Sequence, residues 1–187
     1  MKYAKIAFTA IMILTCVLAT GACSSANGSS NGTLGRVTDY RSYRSQPLAK
    51  NGPAPDFQFQ MPDGTTLFLS DLRGKVVLLN FWGVNCPYCV VEMPYLQKAH
   101  DELAADGVVI LGINTGEPEK TVARFVTDKK LTFPIILDPD VYVSILYGAQ
   151  YLPTTYFIDK AGNIQSAKIG AFKDENEIIT ILKALLQ

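Results

Sequence analysis

The residues of this chain best suited to chemistry are two thiols at a spacing of three, in Cys86-Pro87-Tyr88-Cys89. They follow the run Lys75-Val76-Val77-Leu78-Leu79-Asn80, whose apolar, β-branched character predicts a strand over 76–82 buried on both faces, and they precede a stretch with helical spacing. Pro87 suits the first helical turn, where a missing N–H costs nothing. Cys86 is therefore expected at or beside the N-cap, with free backbone donors and the positive end of the helix dipole directed at it. Such a setting favours thiolate over thiol, and a second thiol within reach can resolve the mixed disulfide that the first one forms. Two other readings compete with exchange chemistry. Zinc asks for four ligands, and the only further candidates are His100 and cysteines of the leader, so no metal is expected. An inert bridge across two residues would close too short a loop to stabilise much.

The chain opens Met1-Lys2-Tyr3-Ala4-Lys5 and then runs uncharged from Ile6 to Ala19. Two lysines before a short apolar core predict an export signal, too short for a permanent membrane span. Small residues before Cys23, in Thr20-Gly21-Ala22-Cys23, resemble a bacterial lipobox, which implies a leader over 1–22 and a lipid on Cys23; ordinary signal cleavage is the alternative. With Cys16 discarded in the leader and Cys23 lipidated, Cys86 and Cys89 are left as the thiols of an exported protein. From Ser24 to about Lys50 the composition turns to Ser, Asn, Gly and scattered Arg, so 23–52 is expected to be a flexible tether.

Lysines and arginines balance acids at 17 each over the whole chain, and removing Lys2 and Lys5 leaves the remainder slightly acidic. Neither basic clustering nor basic residues interleaved with aromatics suggests a nucleic-acid surface. The stretch 53–187 suits one domain with a single sizeable core. Alternation over Asp56–Met61 and Thr65–Leu69 about Pro62-Asp63-Gly64 predicts a hairpin. Helices are expected over 87–105, 118–130, 140–148 and 174–186, with strands over 76–82, 108–113, 133–137, 154–158 and 164–169. Strands alternating with helices predict a three-layer α/β/α domain ending in an antiparallel hairpin. His100 and the tyrosines at 142, 147 and 151 read as packing residues, although Tyr151 is close enough to Pro153 to touch a substrate.

Four motifs in order, Phe81-Trp82-Gly83…Cys86-Pro87-Tyr88-Cys89, Glu92-Met93-Pro94, Phe133-Pro134-Ile135-Ile136-Leu137-Asp138 and Leu152-Pro153-Thr154-Thr155-Tyr156-Phe157-Ile158-Asp159, together resemble the thioredoxin-like TlpA/ResA group. The resemblance spans 53–187 and implies a thioredoxin-like fold with an N-terminal β-hairpin extension and an inserted helix–strand unit near 118–137. It further implies a membrane-tethered extracytoplasmic thiol–disulfide oxidoreductase that needs no cofactor beyond the Cys86–Cys89 disulfide. Cys86 would attack, Cys89 would be buried and resolving, and Glu92 would exchange a proton with Cys89, the plain alternative for Glu92 being a solvated helix position. Pro153 would be a cis-proline opposite the thiols. Trp82, Pro87, Tyr88, Leu152 and Pro153 would form the substrate-binding surface, with core packing as the alternative for Trp82. Asn85 departs from the group, which usually has tryptophan there, and Asn80 agrees with its ResA-like members rather than with ordinary thioredoxin.

The partners so implied are exported proteins bearing disulfides, such as apocytochrome c or methionine sulfoxide reductase, and a membrane thiol donor of the CcdA/DsbD kind. A monomer on the outer side of a bacterial cell membrane is expected. A dithiol oxidase shares fold and motif and differs only in potential. A copper-carrying chaperone of thioredoxin fold would use wider cysteine spacing and a distal histidine, and a thiol peroxidase would have a Pro/Thr-rich surround to its cysteine; none of these features is present.

Overall fold

The computed structural model describes residues 33–40 and 48–187. The leader, Cys16 and the lipidation candidate Cys23 lie outside the described residues. In chain order the strands are β1 (Leu34–Tyr40), β2 (Phe57–Gln60), β3 (Thr66–Phe68), β4 (Val76–Trp82), β5 (Val108–Thr115), β6 (Ile135–Asp138), β7 (Thr154–Ile158) and β8 (Ile164–Ile169). The α-helices are α1 (Pro87–Leu103), α2 (Glu119–Lys129), α3 (Tyr142–Leu146) and α4 (Glu175–Leu186). All eight strands form one sheet in the order β3-β2-β1-β6-β5-β4-β7-β8.

Every residue of β4 is buried, as its unbroken apolar run predicts for a strand covered on both faces. It pairs parallel to β5 and antiparallel to β7. Alternate side chains therefore feed two cores. Val76, Leu78 and Trp82 join Met93 and Leu96 of α1, Val122 and Val126 of α2, and Ile178 and Leu182 of α4 on one face. Val77, Leu79 and Phe81 meet Phe57, Phe59, Tyr147 and Tyr156 on the other. Among the described residues that second face carries the five-residue α3 and a 3-10 turn over Leu69–Leu72 and no longer helix, so the outer layers are unequal. The expected helix over 140–148 shortens to α3 because Val141 and Gly148 both take left-handed backbone, with φ of 55° and 63°. Tyr147 is packed as expected, donating its hydroxyl to the Pro55 carbonyl at 2.7 Å, and burial pushes its pKa well above the ordinary tyrosine value. Tyr142 and Tyr151, by contrast, are exposed.

The tether expected over 23–52 is corrected by β1, which lies inside it. The strand Leu34-Gly35-Arg36-Val37-Thr38-Asp39-Tyr40 slots between β6, to which it runs parallel, and β2, to which it runs antiparallel. The hairpin extension thus joins the central sheet through β1 rather than directly. Weak patterning hid the strand: among its inner residues only Val37 is a large aliphatic, and Arg36 faces outward to pair with Glu119 at 2.7 Å. Gly35 is required there, since a Cβ would stand 2.0 Å from the Gln60 carbonyl oxygen. Tertiary pairing, not local propensity, makes this segment a strand.

Candidate active site

Phe81 pairs with Thr154 and Asn80 with Thr155, so the chain leaving β4 at Trp82 lies level with Pro153 at the head of β7. The Leu152–Pro153 peptide bond is cis, and Pro153 is buried with its carbonyl accepting the Gly170 N–H at 2.8 Å. Four residues, Gly83 to Cys86, carry the chain from β4 into α1. Cys86 is the N-cap of α1 with extended backbone, Pro87 takes the first helical position, and the Cys89 N–H points at the Cys86 sulfur at 3.2 Å. The two cysteines are joined as a disulfide with Cα atoms 5.2 Å apart. Their surroundings differ: Cys86 is partly exposed, whereas Cys89 is fully buried among Trp82, Met93 and Leu96. One sulfur is reachable by a large partner and the other is not.

Beneath the disulfide lies Glu92, one turn on from Cys89 and with no exposed surface, so it is not a solvated helix residue. Asn80 donates to it at 2.8 Å and the Phe172 N–H at 3.2 Å, while the same Asn80 amide nitrogen also donates to the Thr155 hydroxyl at 2.9 Å. Burial raises the Glu92 pKa from 4.5 to about 7, against the two hydrogen bonds and the charge of Lys168, which pull it down, and with Glu177 adding to the rise. A carboxyl poised near neutral pH beside a buried thiol can take or return that thiol's proton.

Of the expected docking residues, Pro87 and Tyr88 are exposed, Tyr88 at 70%, and Leu152 is partly buried against both cores. Trp82 is a correction: it has no exposed surface and stacks at a tilt on Phe125, 5.3 Å between ring centroids, so it packs the core under the site rather than forming its rim. Its place is fixed because a β4 residue in this register points into the helix-covered face. Val91 and Ile169, which the sequence did not single out, are exposed at 56% and 69%. Val91 follows Tyr88 by one helical turn, and Ile169 pairs with Thr154, so both sit with Tyr88 and Tyr151 at the end of the domain that carries Cys86. These four side chains leave that end of the domain with exposed apolar surface. His100 is half-buried near Phe133, 6.3 Å between ring centroids, and burial lowers its pKa.

Also unforeseen is Glu117, just beyond β5, whose carboxylate accepts from the backbone N–H groups of Val84 and Asn85 at 2.7 and 3.1 Å. Asn85 turns its own amide onto the same carboxylate at 2.9 Å, so its side chain is tied down rather than splayed over the site.

Residues 51–167 match the AhpC/TSA family. Over 144 residues the chain is 38% identical to the thiol-disulfide oxidoreductase ResA of Halalkalibacterium halodurans, covering 75% of this chain and 82% of that protein. The chain belongs to the TlpA/ResA family of thiol–disulfide oxidoreductases. Solved structures of the same thioredoxin-like fold superpose well. A candidate thiol:disulfide interchange protein DsbE from Chlorobium tepidum gives a TM-score of 0.70 at 27% identity, over 75% of this chain and 99% of that one. The exposed lipoprotein thioredoxin Etrx1 of Streptococcus pneumoniae gives 0.59 at 30% identity, over 70% and 99%. Like its relatives, this member of the TlpA/ResA family is an enzyme of thiol–disulfide exchange, and its Cys86 and Cys89 form a Cys-X-X-Cys disulfide.

Proposed function

We propose that this chain reduces disulfides in exported proteins from a lipid anchor on the outer side of a bacterial membrane. The asymmetric burial of the two sulfurs, with Glu92 beneath the inner one, carries the reading. In the reduced protein the Cys86 thiolate attacks a client disulfide, forming a mixed disulfide and releasing one client sulfur as thiolate. Cys89 then gives its proton to Glu92 and attacks the Cys86 sulfur, which releases the second client thiolate and leaves Cys86–Cys89 oxidised. A membrane thiol donor of the CcdA/DsbD kind returns the two electrons. Apocytochrome c and methionine sulfoxide reductases are the client classes that the family suggests, and Tyr88, Val91, Tyr151 and Ile169 offer apolar contact to an extended client segment.

The reduction potential of the pair tests the direction. Titrated against a defined thiol buffer, it is expected at or below about −270 mV, the thioredoxin end of the scale. A value near about −120 mV would make the protein a disulfide-forming oxidase, the closest rival, with each residue role unchanged.

The anchor draws support from the small residues before Cys23 and from a relative described as a lipoprotein thioredoxin. Leu34 pairs with Ile135, which pairs with Gly112 and through it lies level with Asn80, so the chain enters β1 partway along the sheet. A lipid on Cys23 would hold the domain through residues 24–33, which can span at most about 35 Å. Cys23→Ala is expected to move the protein from the membrane to the soluble fraction with exchange activity intact. Retention in the membrane fraction would remove Cys23 from the anchor.

A further inference from the structure

We propose that Glu117 is a positioning residue for Cys86, which holds the Gly83–Cys86 loop and biases the Cys86–Cys89 pair toward the reducing end of its scale. Four donors converge on this one carboxylate. One oxygen takes the Val84 N–H and the Asn114 amide, both at 2.7 Å; the other takes the Asn85 N–H at 3.1 Å and the Asn85 amide at 2.9 Å. Two consecutive backbone N–H groups turned onto one anion form a cradle for negative charge. Gly116, with a φ of 70° that favours glycine, turns the chain out of β5 so that Glu117 arrives under the loop.

The charge of the carboxylate matters in only one redox state of the pair. A disulfide carries no charge. The reduced pair carries a thiolate on Cys86, which the helix N-terminus and the Cys89 N–H stabilise. A carboxylate fixed on the preceding residue opposes that thiolate and leaves the neutral disulfide untouched. Reduction is thereby made less favourable, and the dithiol becomes the better electron donor. The Asn85 amide adds a bond to this clamp without adding charge.

The inference rests on Cys86 being the attacking thiolate, and the test separates the two. Reduction potentials would be measured in glutathione buffers on the full chain and on Glu117→Gln, Asn85→Ala and Asn85→Lys. Glu117→Gln keeps the shape and removes the charge, so the exchange equilibrium is expected to move three- to tenfold toward the dithiol, about 15 to 30 mV upward. The thiolate absorbance of the reduced protein should appear at lower pH. Asn85→Ala removes one bond of four and no charge, and should leave the potential where it was. Should Glu117→Gln not fold, Asn85→Lys reads the charge instead, because its ammonium would neutralise the same carboxylate and raise the potential. A Glu117→Gln variant with lowered thermal stability and an unmoved potential would reduce Glu117 to a structural clamp and overturn the proposal, as would an unmoved potential in Asn85→Lys. Failure of the exchange reading itself would look different: the unmodified chain would show no reversible two-electron couple.

Discussion

Replacing Cys89 with Ser is expected to convert the protein from a catalyst into a trap. The partly exposed Cys86 still attacks a client disulfide, but the buried sulfur that would release the client is gone. Within the folded protein the second thiol acts at an effective concentration far above any thiol in solution, since intramolecular partners in good geometry reach about 10⁵ M or more. Turnover is therefore expected to fall by at least about 10³-fold, with external thiols supplying the residual release. Client proteins should accumulate as mixed disulfides that separate on adding reductant, and the same experiment with Cys86→Ser should yield none. Adducts that form through Cys89 in the Cys86→Ser variant would reverse the assignment of attacking and resolving thiols.

Glu92→Gln is expected to have the second largest effect, and one that depends on pH. In the release step Cys89 must lose its proton inside the core, and a carboxylate there contributes on the order of 10²-fold as a base. Release of a mixed disulfide should slow by about that factor near neutral pH. Attack by Cys86 on a small soluble disulfide should change little. The variant also alters stability in a defined window. Because burial raises the Glu92 pKa from 4.5 to about 7, the folded protein keeps a proton that the unfolded chain gives up between those values. The Glu92 contribution to stability is thus complete below pH 4.5 and is lost as the pH rises through about 7. The loss amounts to about 3 kcal/mol. Denaturant unfolding at pH 5 and pH 8 should show that slope in the original protein and its absence in Glu92→Gln. The substitution itself is accommodated by Asn80, whose buried side-chain oxygen has no partner and can turn to accept from the new amide. A pH slope that survives in Glu92→Gln would place the titration elsewhere.

The two variants probe successive halves of one reaction, and the structure separates those halves by depth. Cys86 stands at a helix N-terminus among exposed apolar side chains, where a client can reach it. Cys89, Glu92, Asn80 and Thr155 form a layer below it that bulk water does not reach. On the proposed mechanism, direct contact with the client is thereby confined to the first sulfur, and proton transfer to the second. Tying the loop above this layer to Glu117 connects the same sulfur to β5, a strand that contributes no cysteine.

By itself the sequence determined the reactive pair and the elements on either side of it. The β4 run is unbroken, Pro87 can occupy only a few helical positions, and the thiols follow in fixed order, so local stereochemistry places Cys86 at the start of α1. The strands at 76–82, 154–158 and 164–169 carry enough apolar pattern to be read to the residue. Tertiary structure alone decided what lies beside the pair. β1 exists because β2 and β6 offer unpaired edges to a segment with little pattern of its own. Residue pattern alone leaves Glu92 a helix glutamate that only the family resemblance singles out; its burial is set where α4 and its preceding loop close over it, bringing the Phe172 N–H from 80 positions away. Trp82 looks like a rim residue by its distance along the chain from Cys86, and strand register turns it inward. Glu117 carries no local signal, because the amides that define it lie 33 and 32 positions earlier and meet it only where two parallel strands end side by side. Bonded neighbours set conformation over a few residues, but charge and burial are set by whatever the fold brings near.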